Sequence, residues 1–262
     1  MKRQIPPNFD YKTELIDSNE KFVRDNLNVN VSGWAKFRNR INVGNNANVL
    51  ISPAPIDAKI KEAYIELAKS HYEVVKSLGF VKLSLDQTVN AGDSFFFEKT
   101  LKEFYLHCGS VLDNLSRLIY IINDPNSPFE VLRKNYLLRH WIDWPLLVRE
   151  NRYPNYSVFT ENNFIKEILN IRNNFTHNWA CIVFINRDTG KRMWPIEIRN
   201  DRNYLWHYEE LEEFKMRYKN LKNIDDFLNE DWNTIEEFQN KVFEQLVIDV
   251  ELFENHFNLE II

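Results

Sequence analysis

Along most of the chain apolar residues recur at three- and four-residue steps, the period of a helix with one buried face, and polar breaks separate one such run from the next. After Ser52, Pro53, Ala54 and Pro55, Asp57 stands where an N-cap or first-turn acid belongs. The spacing of Ile60, Ala63, Tyr64, Leu67, His71, Val74 and Val75 then predicts a helix that Gly79 ends. A second long helix is predicted over residues 95–122, with Phe97, Leu101, Phe104, Cys108, Val111, Leu112, Leu115, Leu118, Ile119 and Ile122 on its buried side. It stops at Asn123-Asp124-Pro125, because proline cannot continue a helix. A third is predicted over residues 128–144, and a fourth over 165–179 from Ile165, Ile168, Leu169, Phe175 and Trp179, capped by Thr160 or Asn162.

Past Trp179 the period changes from helical to extended. Residues 180–185 read as a strand, 186–190 as a turn and 191–198 as a return strand, so a β-hairpin is expected, with Pro195 marking an edge. Residues 205–221 then read as a charged helix and 233–257 as a long amphipathic one. Residues 1–54 are polar and Asn-rich, and predict an extended N-terminal arm with one short strand around Val49, Leu50 and Ile51. With no repeat, heptad run or linker, the fold class is mainly α: an arm over 1–54 and one helical domain over 55–262 that includes a β-hairpin near 180–198.

Two polar groupings interrupt the apolar pattern. On the second helix His107, Ser110, Asn114 and Arg117 draw one stripe, which either lines a site or faces water. In the latter case an Asp113–Arg117 pair adds about 0.2–0.5 kcal/mol. On the fourth helix Arg172, Asn173, Thr176 and His177 lie beside the buried face. At about 100° per residue Asn173 and His177 share one line and Arg172 and Thr176 another, leaving Arg172 and His177 about 140° apart. A long arginine side chain closes that gap, or the helix frays near Thr176 and His177 swings across.

These residue types suit acid–base chemistry at a phosphodiester, of which RNA cleavage by internal transfer is one case. His177, with an ordinary pKa of about 6.5, can take the 2'-hydroxyl proton. Arg172 presents a planar fork to phosphate oxygens, and Asn173 can orient either. Positioned acid–base groups contribute about 10²–10⁴ in rate and preorganised charge about 10²–10³ more, so neither a metal nor a cofactor is required. The products would be a 2',3'-cyclic phosphate and a 5'-hydroxyl. The structural alternatives are a helix-end histidine interacting with terminal carbonyls and an arginine paired with Glu167 or Glu161.

Composition narrows the setting. The chain of 262 residues is 44% hydrophobic and 14% aromatic, ample for a core. A net charge of -5 argues against broad electrostatic capture of nucleic acid, so an RNA site must be local. Local basic clusters are Lys36, Arg38 and Arg40; Arg133, Lys134 and Arg139; and Arg187, Lys191, Arg192, Arg199 and Arg202, each ordinary solvated surface when taken singly. Cys108 and Cys181 read as reduced thiols, and no zinc spacing occurs. The start, Met1-Lys2-Arg3-Gln4-Ile5-Pro6-Pro7, lacks the apolar core of a secretory signal, and the apolar run 118–122 is too short to span a bilayer. A cytoplasmic protein without membrane association is expected. Nucleotide-binding glycine loops, zinc-protease HExxH and hydrolase GxSxG strings are all absent.

The hexapeptide Arg172-Asn173-Asn174-Phe175-Thr176-His177 resembles the R-N-x-x-x-H signature of the HEPN superfamily, and residues 109–117 resemble the helix opposite the motif in its bacterial members. The resemblance implies a four- or five-helix up-and-down bundle, usually a homodimer, in which the motifs of two subunits face each other and cut RNA without a metal. It implies Arg172 and His177 as catalytic residues, Asn173 and Thr176 as support, and His107, Ser110, Asn114 and Arg117 as site lining. The expected activity is that of an endoribonuclease acting on an RNA substrate as a toxin or defence effector, with an antitoxin or regulatory partner. The alternative within the same family is a non-catalytic scaffold that binds a nucleotide or a protein.

Overall fold

In the computed structural model the described residues are 19–43, 58–123, 154–156, 163–177, 183–196 and 220–256. They are mainly helical, with a small three-stranded antiparallel sheet. The centre is a pair of long helices, α2 (Ala58–Val89) and α3 (Ser94–Asn123), which pack along each other. Their short connection is fixed at Asp93, whose Oδ1 accepts the Phe96 N–H at 2.7 Å and caps α3. Small polar residues inside the pair satisfy themselves: Thr88, Thr100 and Ser116 donate to the carbonyls of Ser84, Phe96 and Leu112 at 2.6, 3.0 and 2.9 Å.

Gly79 does not end α2, contrary to the sequence expectation. The apolar stripe continues through Val81 and Leu85, both buried. The glycine serves a close approach instead, since a Cβ there would lie 2.7 Å from Cγ2 of Val23.

Nor is the described part of the N-terminal region an extended arm. A π-helical turn covers Phe22–Asn26 and a helix, α1, covers Ser32–Val43. Val23, Leu27, Val29, Val31, Trp34, Phe37 and Ile41 are buried in the common core, an apolar set masked in the sequence by intervening Asn and Arg. The strand expected around Val49 lies outside the described residues, as does the helix expected over 128–144.

The last helix, α5 (Ile224–His256), receives α1. Asn30 Oδ1 accepts the Ser32 N–H at 3.1 Å, while Asn240 Oδ1 accepts the Gly33 N–H at 2.8 Å and its Nδ2 donates to Asn30 O at 3.0 Å. Two helices meet backbone to backbone here, because a Cβ on Gly33 would sit 2.7 Å from the Asn240 carbonyl oxygen. Behind this contact Trp34 stacks on His71, ring centroids 4.4 Å apart, and its Nε1 donates to the His71 carbonyl at 3.0 Å. Phe37 and Phe243 complete the enclosure.

The fourth helix, α4 (Asn163–His177), leads toward a hairpin of β1 (Phe184–Ile185) and β2 (Arg192–Pro195), turned at Gly190 with φ 67°. The hairpin was legible, but β3 (Leu221–Asn223) was not; it pairs with β2 and makes it the central strand. Pro195 is therefore not on an edge strand. Ile196 donates to Asn220 O at 2.9 Å, so the missing N–H of Pro195 points to the β1 side, where described pairing ends at Met193. Residue 221 belongs to β3 rather than to the expected charged helix, whose residues 205–219 lie outside the described set. α5 starts earlier than expected, since Ile224, Phe227 and Leu228 extend its buried face. Trp194 packs with Tyr105, Phe175 and Phe227 at centroid distances of 6.0, 5.9 and 6.1 Å, joining sheet, α3, α4 and α5. No helix among the described residues is long and apolar enough to cross a membrane.

Burial holds the His71 imidazole at a pKa of about 3, with the nearby positive charge of Arg38 adding to the effect. An unfolded chain binds that proton near pH 6.5, so below this value the unfolded state gains protons that the folded state refuses. Stability is full above about pH 6.5 and is lost as pH falls toward 3, by at most about 1.4 kcal/mol per pH unit from this one residue. Urea unfolding across that range is expected to show a shallower acid loss in His71→Gln than in the parent. Gly33→Ala is expected to cost about 1–3 kcal/mol in the same assay at neutral pH.

Candidate active site

The apolar face of α4 is buried through Ile165, Ile168, Leu169 and Ile171, and Phe175 packs on Tyr105 and Trp194. That face fixes the helix, and the direction in which Arg172 leaves it follows. Arg172 runs onto α3, where its Nη2 donates to Asp113 Oδ2 at 3.1 Å. The guanidinium lies over Gly109: a Cβ at that position would collide with Arg172 Cδ and Nε and stand 2.8 Å from Cζ. The missing Cβ at residue 109 thus leaves the space in which the Arg172 side chain lies against α3.

The ion pair is half-buried, with 28% of the Arg172 side chain and 22% of the Asp113 side chain exposed. An arginine carries five N–H donors. Asp113 engages one, and among the described residues no other acceptor takes the rest. The side chain keeps a partly solvent-exposed edge. Asp113, not Glu167 or Glu161, supplies the described pair to Arg172; a pair of Asp113 with Arg117 was the alternative in which the α3 stripe faces water.

Beside Arg172, Asn173 is exposed and Asn174 is buried. Thr176 is exposed, and its hydroxyl donates to the Arg172 carbonyl at 2.9 Å, so its support goes to the helix backbone. The helix does not fray at Thr176 but continues to His177, its last residue. The side chain of His177 lies outside the described part of the structure.

The stripe on α3 has partners on α2. His107 packs against Phe80 at 5.0 Å between ring centroids, and burial pulls its imidazole pKa down against the opposing charge of Glu103. Asn114 Nδ2 donates to Ser77 Oγ at 3.4 Å, and Ser110 bonds back to the Leu106 carbonyl at 3.1 Å. Arg117 Nη1 reaches Asn114 Oδ1 at 3.4 Å, while its Nε is buried with no partner among the described residues. Ser110 and Asn114 are turned about 100° around α3 from Gly109 and Asp113. The residues that meet Arg172 are therefore Gly109 and Asp113, one turn apart. Their signal in the sequence is a lone glycine inside an apolar helix followed four residues later by an acid.

Of the basic clusters, Lys36 pairs with Glu244 at 3.6 Å, Arg38 pairs with Glu20, and Arg192 lies 4.1 Å over the Phe97 ring while donating to Ala91 O at 2.8 Å. Arg187 and Lys191 are exposed on the hairpin turn. Arg40 is half-buried, and Arg133, Lys134, Arg139, Arg199 and Arg202 lie outside the described residues. Cys108 is free and buried, which raises its thiol pKa, and Cys181 lies outside the described residues. No group of three or more His, Cys, Asp or Glu among the described residues is arranged to hold a metal ion.

The chain matches no protein-family model, no curated protein and no solved structure.

Gly109→Ala is expected to displace the guanidinium of Arg172, whose flexible end can move, and to change stability by less than about 1 kcal/mol, because alanine's better helix propensity offsets the lost contact. Gly92→Ala, where a Cβ meets nothing within 4 Å, serves as the neutral comparison in urea unfolding.

Proposed function

We propose that this chain is a metal-independent endoribonuclease with a HEPN-like up-and-down bundle, acting as a homodimer in which two copies of the R-N-x-x-x-H peptide share one cleft. The observation that supports the reading is the perch of Arg172: its guanidinium rests over Gly109, is steered by Asp113, and keeps most donors unspent within two turns of the residue expected to act as base. Such a group meets developing phosphate charge without first having to be ordered.

In this scheme His177 takes the proton of the 2'-hydroxyl, and the 2'-oxygen attacks phosphorus. Arg172 neutralises the charge that builds on the non-bridging oxygens. The bond to the 5'-oxygen breaks, that oxygen takes up a proton, and a 2',3'-cyclic phosphate and a 5'-hydroxyl remain. Asn173, exposed beside Arg172, is available to orient either the base or the phosphate. A cytoplasmic toxin or defence effector held in check by an antitoxin or regulatory partner is the biological role that fits such an activity.

A second reading is favoured by the Arg172–Asp113 pair itself, which is also a strut between α3 and α4. In that case the protein is a non-catalytic scaffold that recognises a nucleotide or protein at the same place.

Purified protein incubated with total RNA and with tRNA in EDTA is expected to yield fragments ending in cyclic phosphate. His177→Ala and Arg172→Ala are each expected to slow cleavage by about 100-fold or more. RNA left intact by the parent protein, together with nucleotide or protein binding that survives His177→Ala, supports the scaffold instead.

A further inference from the structure

The face of α3 that meets Arg172 continues for most of the helix. Phe95, Lys99, Lys102, Leu106, Gly109 and Asp113 follow one another at alternating steps of four and three, which places all of them within about 40° of one line. From Gly109, under the guanidinium, to Phe95 is about 21 Å along the helix. Phe95 is 80% exposed, and among the described residues its ring has no aromatic or cationic neighbour. Leu106 is 40% exposed.

Between them stand the two lysines. Lys102 pairs with Glu98 at 2.6 Å, and Lys99 pairs with Glu103 at 2.9 Å while sitting 5.8 Å over the Phe96 ring. Both are in-helix pairs of the kind worth little; Lys99 is about half exposed and can turn to a phosphate, while Lys102, with 25% of its side chain exposed, adds positive charge to the face from a more packed position. Asp113, the remaining acid on the line, is already neutralised by Arg172.

We infer that this face of α3 is a track for single-stranded RNA, running from the Arg172 site to a base-stacking platform at Phe95. The inference rests on the ribonuclease reading for its starting point and names the class of substrate that site receives. Phosphates pass the exposed edge of Arg172, then Lys102 and Lys99, and a base lies flat on the unoccupied Phe95 ring, as aromatic residues receive unpaired bases in other single-strand sites. Duplex RNA keeps its bases stacked inside the helix and has none to give to Phe95.

The test is fluorescence anisotropy of a fluorescein-labelled 2'-O-methyl oligouridylate, which has no 2'-hydroxyl and reports binding without cleavage. The parent protein is expected to bind it more tightly than a labelled duplex of the same length. Phe95→Ala, a change at an exposed site that leaves the fold alone, is expected to weaken binding about tenfold. Lys99→Ala with Lys102→Ala is expected to lower the slope of log affinity against log salt by about 1.4. Ile248→Ala, another exposed apolar position on a different helix, is expected to change neither. Equal affinity for duplex, or a Phe95→Ala variant that binds like the parent, overturns the track. If unmodified RNA is still cut in that case, the nuclease reading stands without it. If the probe binds through Phe95 while unmodified RNA is never cut, the track stands and the nuclease reading fails.

Discussion

A charged side chain lying across a neighbouring helix needs room under it and a partner beside it, and Arg172 has both from one turn of α3. Gly109 removes the Cβ that would occupy the place of the guanidinium, and Asp113 offsets the cost of half-burying a positive charge. Neither residue is sufficient alone. A bulkier residue 109 would force the arginine away, and an uncharged residue 113 would leave the cation partly desolvated without a counter-charge. The contact adds a polar tie to the apolar packing between α3 and α4.

Those apolar residues set the contact's position. Phe175 and Trp194 rest on Tyr105, one turn of α3 before Gly109, so α4 is located along α3 by aromatic packing on one side of Arg172. Tyr105 is itself held by a 2.7 Å hydrogen bond from its hydroxyl to the buried Asp231 of α5. The small sheet closes over this cluster and is fastened to the α2–α3 connection through Arg192. The result is a packed base under one end of α4, which sets where Arg172 leaves the helix.

The long helices and the hairpin could be read from the chain because their apolar residues keep one period over many turns, as in the run from Phe97 to Ile122. The N-terminal helix could not. Trp34, Phe37 and Ile41 do stand at steps of three and four, but only over two turns in an Asn-rich polar stretch, and the partners that hold the segment, Glu236, Gln239 and Asn240, are two hundred residues away. Gly79 was misread for a related reason: a glycine within a continuing stripe marks a close contact, here with Val23, as readily as a helix end. At the candidate site Arg172 and its helix were legible from local pattern. Its partner was not, because the most regular polar series on α3, His107 to Arg117, lies against α2, while Arg172 meets the inconspicuous Gly109 and Asp113.

The coupling between Arg172 and Asp113 is the quantity on which this account turns, and a double-mutant cycle measures it. Arg172→Met, Asp113→Leu and the double variant, unfolded in urea beside the parent chain, are expected to give a favourable coupling of about 0.5–3 kcal/mol. That coupling should shrink little in high salt, because the pair is half-buried. Additive single effects, with a coupling indistinguishable from zero at any salt concentration, would mean that the arginine is not held in place, and the positioned cation would be lost as the basis of the site.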